Sequence, residues 1–193
     1  STRRYVECFS DFDFDETTAT DFHFLDSGLS YDGTATTSIT GLDHLEGQTV
    51  QILADGSTHA DKIVSSGGIT LDRSSKKVRV GLGYNSVLQT MRVEGGSAEG
   101  TGQGKIKRIS KVVLRLFNTV GAKCGPSLTN LETVPFRTTS SDMDSPVSTL
   151  LAGDKTVEFT DDYNSDGFIF VKQDQPLPLS LLALYPTFVI SDG

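Results

Sequence analysis

Apolar and polar residues alternate with period two near the start of the chain and again in short runs beyond residue 36. Asp11-Phe-Asp-Phe-Asp15 alternates strictly, which predicts a strand with one buried face. Phe22, Phe24 and Leu25 follow, ahead of the turn-like groups Asp26-Ser-Gly28 and Asp32-Gly33. From Thr36 the runs Gln48–Ala54, Lys62–Val64, Ile69–Leu71, Lys77–Val80 and Val87–Val93 are separated by Asp55-Gly56, Gly67-Gly68, Asp72–Ser75 and Gly83–Asn85. Such separators supply the positive φ that tight hairpins need, so residues 36–94 read as a compact antiparallel subdomain.

Gly95–Gly104 places five glycines in ten residues with no large apolar side chain, which predicts a flexible loop between two sections. The next stretch, Lys105 to Asn118, fits two periods. Ile106, Ile109, Val113 and Leu116 stand at helical spacing, whereas Val113 to Phe117 alternates and is rich in branched residues; in β surroundings the strand is favoured. Val157–Phe159, Gly167–Val171 and Leu179–Ile190 complete the strands of a second section over 105–193. The first two of these are expected to be joined as a hairpin through the polar turn Thr160–Asp166. Pro176, Pro178 and Pro186 lack an amide proton and belong at strand starts, edges or bulges.

Composition sharpens the fold class. Of 193 residues, 36% are hydrophobic and 22% charged, and 43 are Ser or Thr, with 11 Phe. Branched, aromatic and hydroxyl side chains favour pleated surfaces and turns over helices. The expectation is an all-β, mostly antiparallel protein with little helix: a β-sandwich or small β-barrel, as one β unit over 1–193 or as two β subdomains. A formal charge of −8 offers no general attraction for phosphates, which argues against sequence-specific DNA binding. Cys8 and Cys124 permit one disulfide or two reduced thiols and no Cys-rich metal site. No apolar run approaches the ~20 residues of a membrane span, and Ser1 to Arg4 opens no leader-like apolar stretch, so an intracellular or intraviral setting is expected.

Candidate chemistry is sparse. His23, His44 and His59 share no metal-binding spacing, and Gly100-Thr-Gly-Gln-Gly104 lacks the context of a phosphate-cradling loop, so no cofactor is expected. Asp162, Asn164 and Asp166 with Gly167 match the first half of a calcium loop. Gln173 stands where the closing bidentate Glu belongs, which favours a plain turn over a metal site. Asp11, Asp13, Asp15 and Glu16 read as a solvated strand face. The basic run Lys105, Lys107, Arg108, Lys111 and Arg115 is the one positive cluster. It is read either as a solvated strand face or as a contact for an acidic neighbour or for nucleic-acid phosphates, with no aromatic platform beside it.

Several phrases carry a resemblance: Gly41-Leu-Asp-His-Leu-Glu-Gly47, Val50-Gln-Ile-Leu-Ala-Asp-Gly56, Val80-Gly-Leu-Gly-Tyr84, Lys107-Arg-Ile109, and Asp174-Gln-Pro-Leu-Pro-Leu179 with Leu182-Ala183. Together, from about Tyr5 to about Ile190, they resemble the tail tubular or nozzle-type virion proteins of short-tailed bacteriophages. The resemblance implies a non-enzymatic structural subunit, one domain of a longer chain. It further implies assembly with other copies in a ring around the DNA exit channel, beside neighbouring tail or portal-side proteins, with double-stranded DNA only in passage and no membrane. It implies location in the virion tail after assembly in the bacterial cytoplasm, and it transfers no catalytic residue. Gly41, Gly47, Gly56, Gly81 and Gly83 are read as turn or close-approach positions, with His44 and Glu46 clasping the turn between Leu42 and Val50. A competing reading is a tail-borne carbohydrate-binding or host-adhesion module using Asp161–Asp166 and the Tyr163 ring, disfavoured by the lack of Trp. A third, a hydrolase, would need Asp162 and Asp166 to converge in a cleft.

Overall fold

The computed structural model describes residues 4, 6–7, 20–95, 101–136, 150–160 and 163–191. These residues form eleven strands and no α-helix. The acidic alternation over 11–16, Cys8, Asp161 and Asp162, and the 96–100 portion of the glycine-rich stretch lie outside them. All strand pairs are antiparallel and fall into three open sheets, so the all-β expectation holds in its sandwich-like form and no sheet closes as a barrel. The chain divides into two compact units: one built on residues up to Tyr84 with Asp174–Pro178, the other on Asn85 onward, Leu151–Gln173 and the segment from Leu179.

The first unit holds β1 (Asp26–Thr40), β2 (Thr49–Ala54), β3 (Ser57–Ile63) and β4 (Gly68–Leu82) in the order β1-β4-β2-β3. Asp55 and Gly56, at φ 50° and 78°, make the two-residue turn between β2 and β3. The Asp55 carboxylate also accepts from the backbone N–H groups of Lys76 and Lys77 at 3.1 and 2.9 Å, which pins β4 beside that turn. Ser66 and Gly67 repeat the positive-φ pair before β4, where both N–H groups donate to the Glu46 carboxylate at 3.0 and 2.9 Å. A short 3₁₀ turn, Asp43–Leu45, lays Leu42 and Leu45 into the core made by Ile39, Val50, Ile52, Val64, Leu71, Val78 and Val80.

Three expected turns are strand instead. Asp72–Ser75 lies inside β4, and Asp26-Ser-Gly28 and Asp32-Gly33 lie inside β1. The two fifteen-residue strands pair along most of their length. Register shifts at Asp26/Leu29, Asp32/Thr36 and Thr36/Ser38 absorb the turn-type residues as bulges, with Ser27 at φ 49°. Gly81 is likewise no turn residue. It sits in β4 because a Cβ there would stand 2.7 Å from the Asp26 carbonyl, so it belongs to the close approach of two backbones. Gly83, just after β4, leaves room for the Gln51 side chain.

The second unit is a two-sheet sandwich. One sheet orders β5 (Ser86–Gln89), β10 (Phe170–Gln173), β7 (Lys123–Ser127) and β8 (Asn130–Thr133) as β5-β10-β7-β8; the other orders β11 (Leu181–Ser191), β6 (Ile106–Thr119) and β9 (Leu151–Glu158) as β11-β6-β9. Their shared core contains Ile109, Val112, Leu114, Leu116, Cys124, Val157, Ile169 and Val171. Of the Lys105–Asn118 stretch, all from Ile106 onward is thus strand, as favoured, rather than helix. The expected hairpin between Val157–Phe159 and Gly167–Val171 does not form, because β9 pairs with β6 and β10 with β5 and β7. Pro186 lies on β11, an edge strand, where the missing amide proton is tolerated.

The glycine geometry makes a contrast that urea unfolding will resolve. Gly47, at φ 74° with nothing near its missing Cβ, should lose about 1 kcal/mol on Gly47→Ala through backbone strain alone. Gly81→Ala, which forces two strands apart, should cost more, about 2–3 kcal/mol.

Candidate interaction face

Strand β6 is hydrogen-bonded on both sides, to β11 and to β9, so the face taken by each of its side chains is fixed. Against β11, Thr187 faces Lys111 and Phe188 faces Ile109, which leaves Ser110 as an extra residue on β6. This bulge reverses the alternation. Before it, Lys107 and Ile109 point inward; after it, Val112, Leu114 and Leu116 do.

The basic run is therefore divided. Arg108, Lys111 and Arg115 lie on the outer face, while Lys107 is buried at 1% exposure and Lys105 is half-buried. Arg115 grips Asp154 of β9 in a two-point ion pair, Nε and Nη2 donating at 2.8 and 2.9 Å, and its guanidinium stands 5.4 Å from the centroid of the Tyr185 ring. Those hydrogen bonds hold the Asp154 carboxyl below the usual carboxylate range and raise the guanidinium correspondingly. Arg108 lies 5.9 Å from the centroid of the Tyr163 ring. Lys111 stands across from Glu158 of β9 and Thr187 of β11. Between these charges the face exposes Leu182 (63%), Val189 (56%), Tyr185 (48%), Phe117 (47%) and Ile106 (41%). Sequence reading treated the cations and missed this apolar stripe, because the inward or outward sense of each residue depends on the bulge at Ser110.

Lys107 ends in the core. Its Nζ is without a hydrogen-bond partner. Its backbone exchanges two hydrogen bonds with Asn164, and a Cβ on Gly167 would lie 3.2 Å from its Cδ. Glu94 feels its charge, yet spends its own carboxylate on the N–H of Gly102 at 2.6 Å and the hydroxyl of Thr101 at 2.9 Å. Those bonds, the Gly102 N–H first, hold the Glu94 carboxyl low.

The remaining candidates are structural in their contacts. Asn164 Oδ1 accepts from the N–H groups of Asp166 and Gly167 at 3.0 and 2.8 Å, a local turn, and Asp166 pairs with Arg92 at 2.8 Å. Among the described residues no group of three His, Cys, Asp or Glu side chains gathers as a metal shell would. His59 receives the N–H of Asp72 on Nε2 at 3.0 Å and donates from Nδ1 to the Ala60 carbonyl at 2.8 Å, a pattern satisfied by a single neutral tautomer. His44 reaches the Ser27 carbonyl at 2.9 Å, and His23, whose pKa is lowered by burial and then by Arg79, lies 3.2 Å from the Ser30 hydroxyl. Cys124 is a buried free thiol pushed up to about 12 by desolvation, which makes it unreactive. The chain matches no protein-family model and none of the curated proteins.

Two measurements test this arrangement. The Asp154 carboxyl should titrate below the ordinary carboxylate value by NMR and return toward it in Arg115→Ala. Because the folded value is the lower one, the stability from this pair is present above the ordinary carboxylate pKa and is lost as pH falls through the folded value. Lys107→Met should raise the unfolding free energy by about 1–3 kcal/mol in urea, since it replaces an unpaired buried amine with an apolar chain of similar shape.

Proposed function

We propose that this chain is a non-enzymatic structural component of a phage tail, in the tail tube or nozzle or at the head-to-tail junction, working through protein–protein contacts. The observation that carries the reading is the outer face of the β11-β6-β9 sheet. Five large apolar side chains between 41% and 63% exposed share it with three cations, the kind of surface that monomers seldom leave uncovered and that docking partners bury. The phrases from Gly41 to Gly47, Val50 to Gly56 and Val80 to Tyr84, which resemble nozzle-type proteins, add the setting: a virion, with other copies and neighbouring tail proteins as partners, DNA only in passage and no membrane. They occupy turns and strands of the first unit, where Gly47 and Gly56 hold positive φ and Glu46 closes the Ser66-Gly67 turn. Such roles preserve a scaffold and require no reacting group. A sugar-stacking role for Tyr163 gains no support, because an Arg108 guanidinium already lies near its ring and the neighbouring Asn164 oxygen is committed to backbone.

Quantitative mass spectrometry of purified tailed particles grown from the encoding genome tests the reading. Peptides of this chain should be present in several copies per particle and stay with the tail fraction after DNA release. Their absence from particles, or turnover by the purified chain that a point substitution abolishes, would refute it.

A further inference from the structure

We infer that Lys107 and Asn164 are the two halves of an intramolecular cross-link, an amide formed between the Lys107 amine and the side-chain carbonyl carbon of Asn164 with loss of ammonia. The inference concerns the interior of the second unit and is independent of the tail setting and of the outer face.

The first observation is the state of the amine. Lys107 is the one buried lysine among the described residues, at 1% exposure, and its Nζ has no hydrogen-bond partner. A charge survives burial when it is paired or neutralised, and here no hydrogen bond pairs it. Conversion to an amide removes the charge and leaves one N–H to satisfy in place of the three of an ammonium group. The reaction therefore relieves what the fold leaves unfavourable.

The second observation is placement. Lys107 and Asn164 face each other as an antiparallel bridge, each donating its backbone N–H to the carbonyl of the other, at 2.7 and 2.8 Å. Residues directly opposed in this way send their side chains to the same side, with Cβ atoms about 5 Å apart, a span that a lysine stem covers. The stem lies over Gly167, where a Cβ would stand 3.2 Å from Lys107 Cδ and 3.9 Å from Lys107 Cβ. Gly167 also gives its N–H to the Asn164 side chain at 2.8 Å, so one residue adjoins both the stem and the amide. Rotation about the stem carries Nζ from its unpaired position onto Asn164 Cγ.

The third observation is activation. Asn164 Oδ1 accepts from the backbone N–H groups of Asp166 and Gly167 at 3.0 and 2.8 Å. Two fixed donors on one carbonyl oxygen polarise the carbon for attack and hold the negative charge that develops as the amine adds. Glu94 is the carboxylate that the Lys107 charge reaches, and its bonds to Gly102 and Thr101 keep it ionised and able to take a proton. Glu94 removes a proton from the ammonium group, and the neutral Nζ adds to Cγ. The bond from Cγ to Nδ2 then breaks. Nδ2 takes one proton from the adding nitrogen and one back from Glu94, so ammonium departs and no oxidant or co-reactant is consumed.

Intact-mass spectrometry of the purified whole chain under denaturing conditions tests this. The wild-type mass should lie about 17 Da below that of the sequence, and proteolytic digestion should release one branched peptide joining Lys107 to Asn164. Lys107→Met and Asn164→Ala should each show the full sequence mass. Glu94→Gln should slow linkage about a hundredfold while far-UV circular dichroism stays as in wild type. Because Lys107→Met also removes the link, the gain in unfolding free energy expected of that substitution is read in an Asn164→Ala background. A wild-type chain at its full sequence mass overturns the proposal. So does a mass loss that persists in Lys107→Met, which would assign it to cyclisation of an asparagine or glutamine elsewhere.

Discussion

The fixed register of β6 is the constraint on which the second unit depends. A central strand cannot slip without losing two ladders at once, and a slip by one residue would turn Ile109, Val112, Leu114 and Leu116 out of the core. The bulge at Ser110 lets one strand satisfy two phases, inward at odd positions before it and at even positions after it. What the face offers to solvent is the remainder of that choice. Phe117, Arg115, Val113, Lys111 and Arg108 lie outside because their neighbours are needed inside. The core thus decides which side chains the outer face presents.

Lys107 shows the cost of that arrangement. It occupies an inward position just ahead of the bulge, so its aliphatic stem packs toward Gly167 while its amine has no hydrogen-bond partner. A buried unpaired amine is unfavourable by several kcal/mol in the charged state. Its backbone bridge ties β6 to Asn164, and the Asn164 side chain in turn caps the Asp166-Gly167 turn.

Much of the first unit was legible because its information is local. Asp55-Gly56 requires positive φ at both positions of a two-residue turn, and the structure has it. What failed there was long-range. Asp72–Ser75 carries turn residues, yet it lies within β4: Ser75 pairs with Thr36 of β1, Asp72, Arg73 and Ser74 fall in the bulge between that pair and Ser38–Thr70, and β2 makes no pairing there, since the β2–β4 register covers only Val78 to Gly81. In the second unit the expected hairpin from Val157 to Val171 failed for the same reason: polar residues mark a reversal or crossing of the chain but do not say which strand receives it. The basic run failed differently. Its members were visible, but their division between two faces was set by a bulge with no signature in the sequence, since Ser110 is an ordinary strand residue.

The positions that resemble nozzle-type proteins and the positions that make the exposed face are largely different residues. Glycines such as Gly41, Gly47 and Gly56 hold turns, and they would be demanded by this backbone whatever the protein did. Leu182 and Val189 stand exposed on an outer sheet face, where a polar residue would fold as well and stay more soluble. A side chain that the fold does not require, placed where it is unfavourable in isolation, is better evidence of a working surface than one that the fold cannot do without. By that measure the proposed role rests on the outside of β6 and β11, and the turns of the first unit bear on how the scaffold is built.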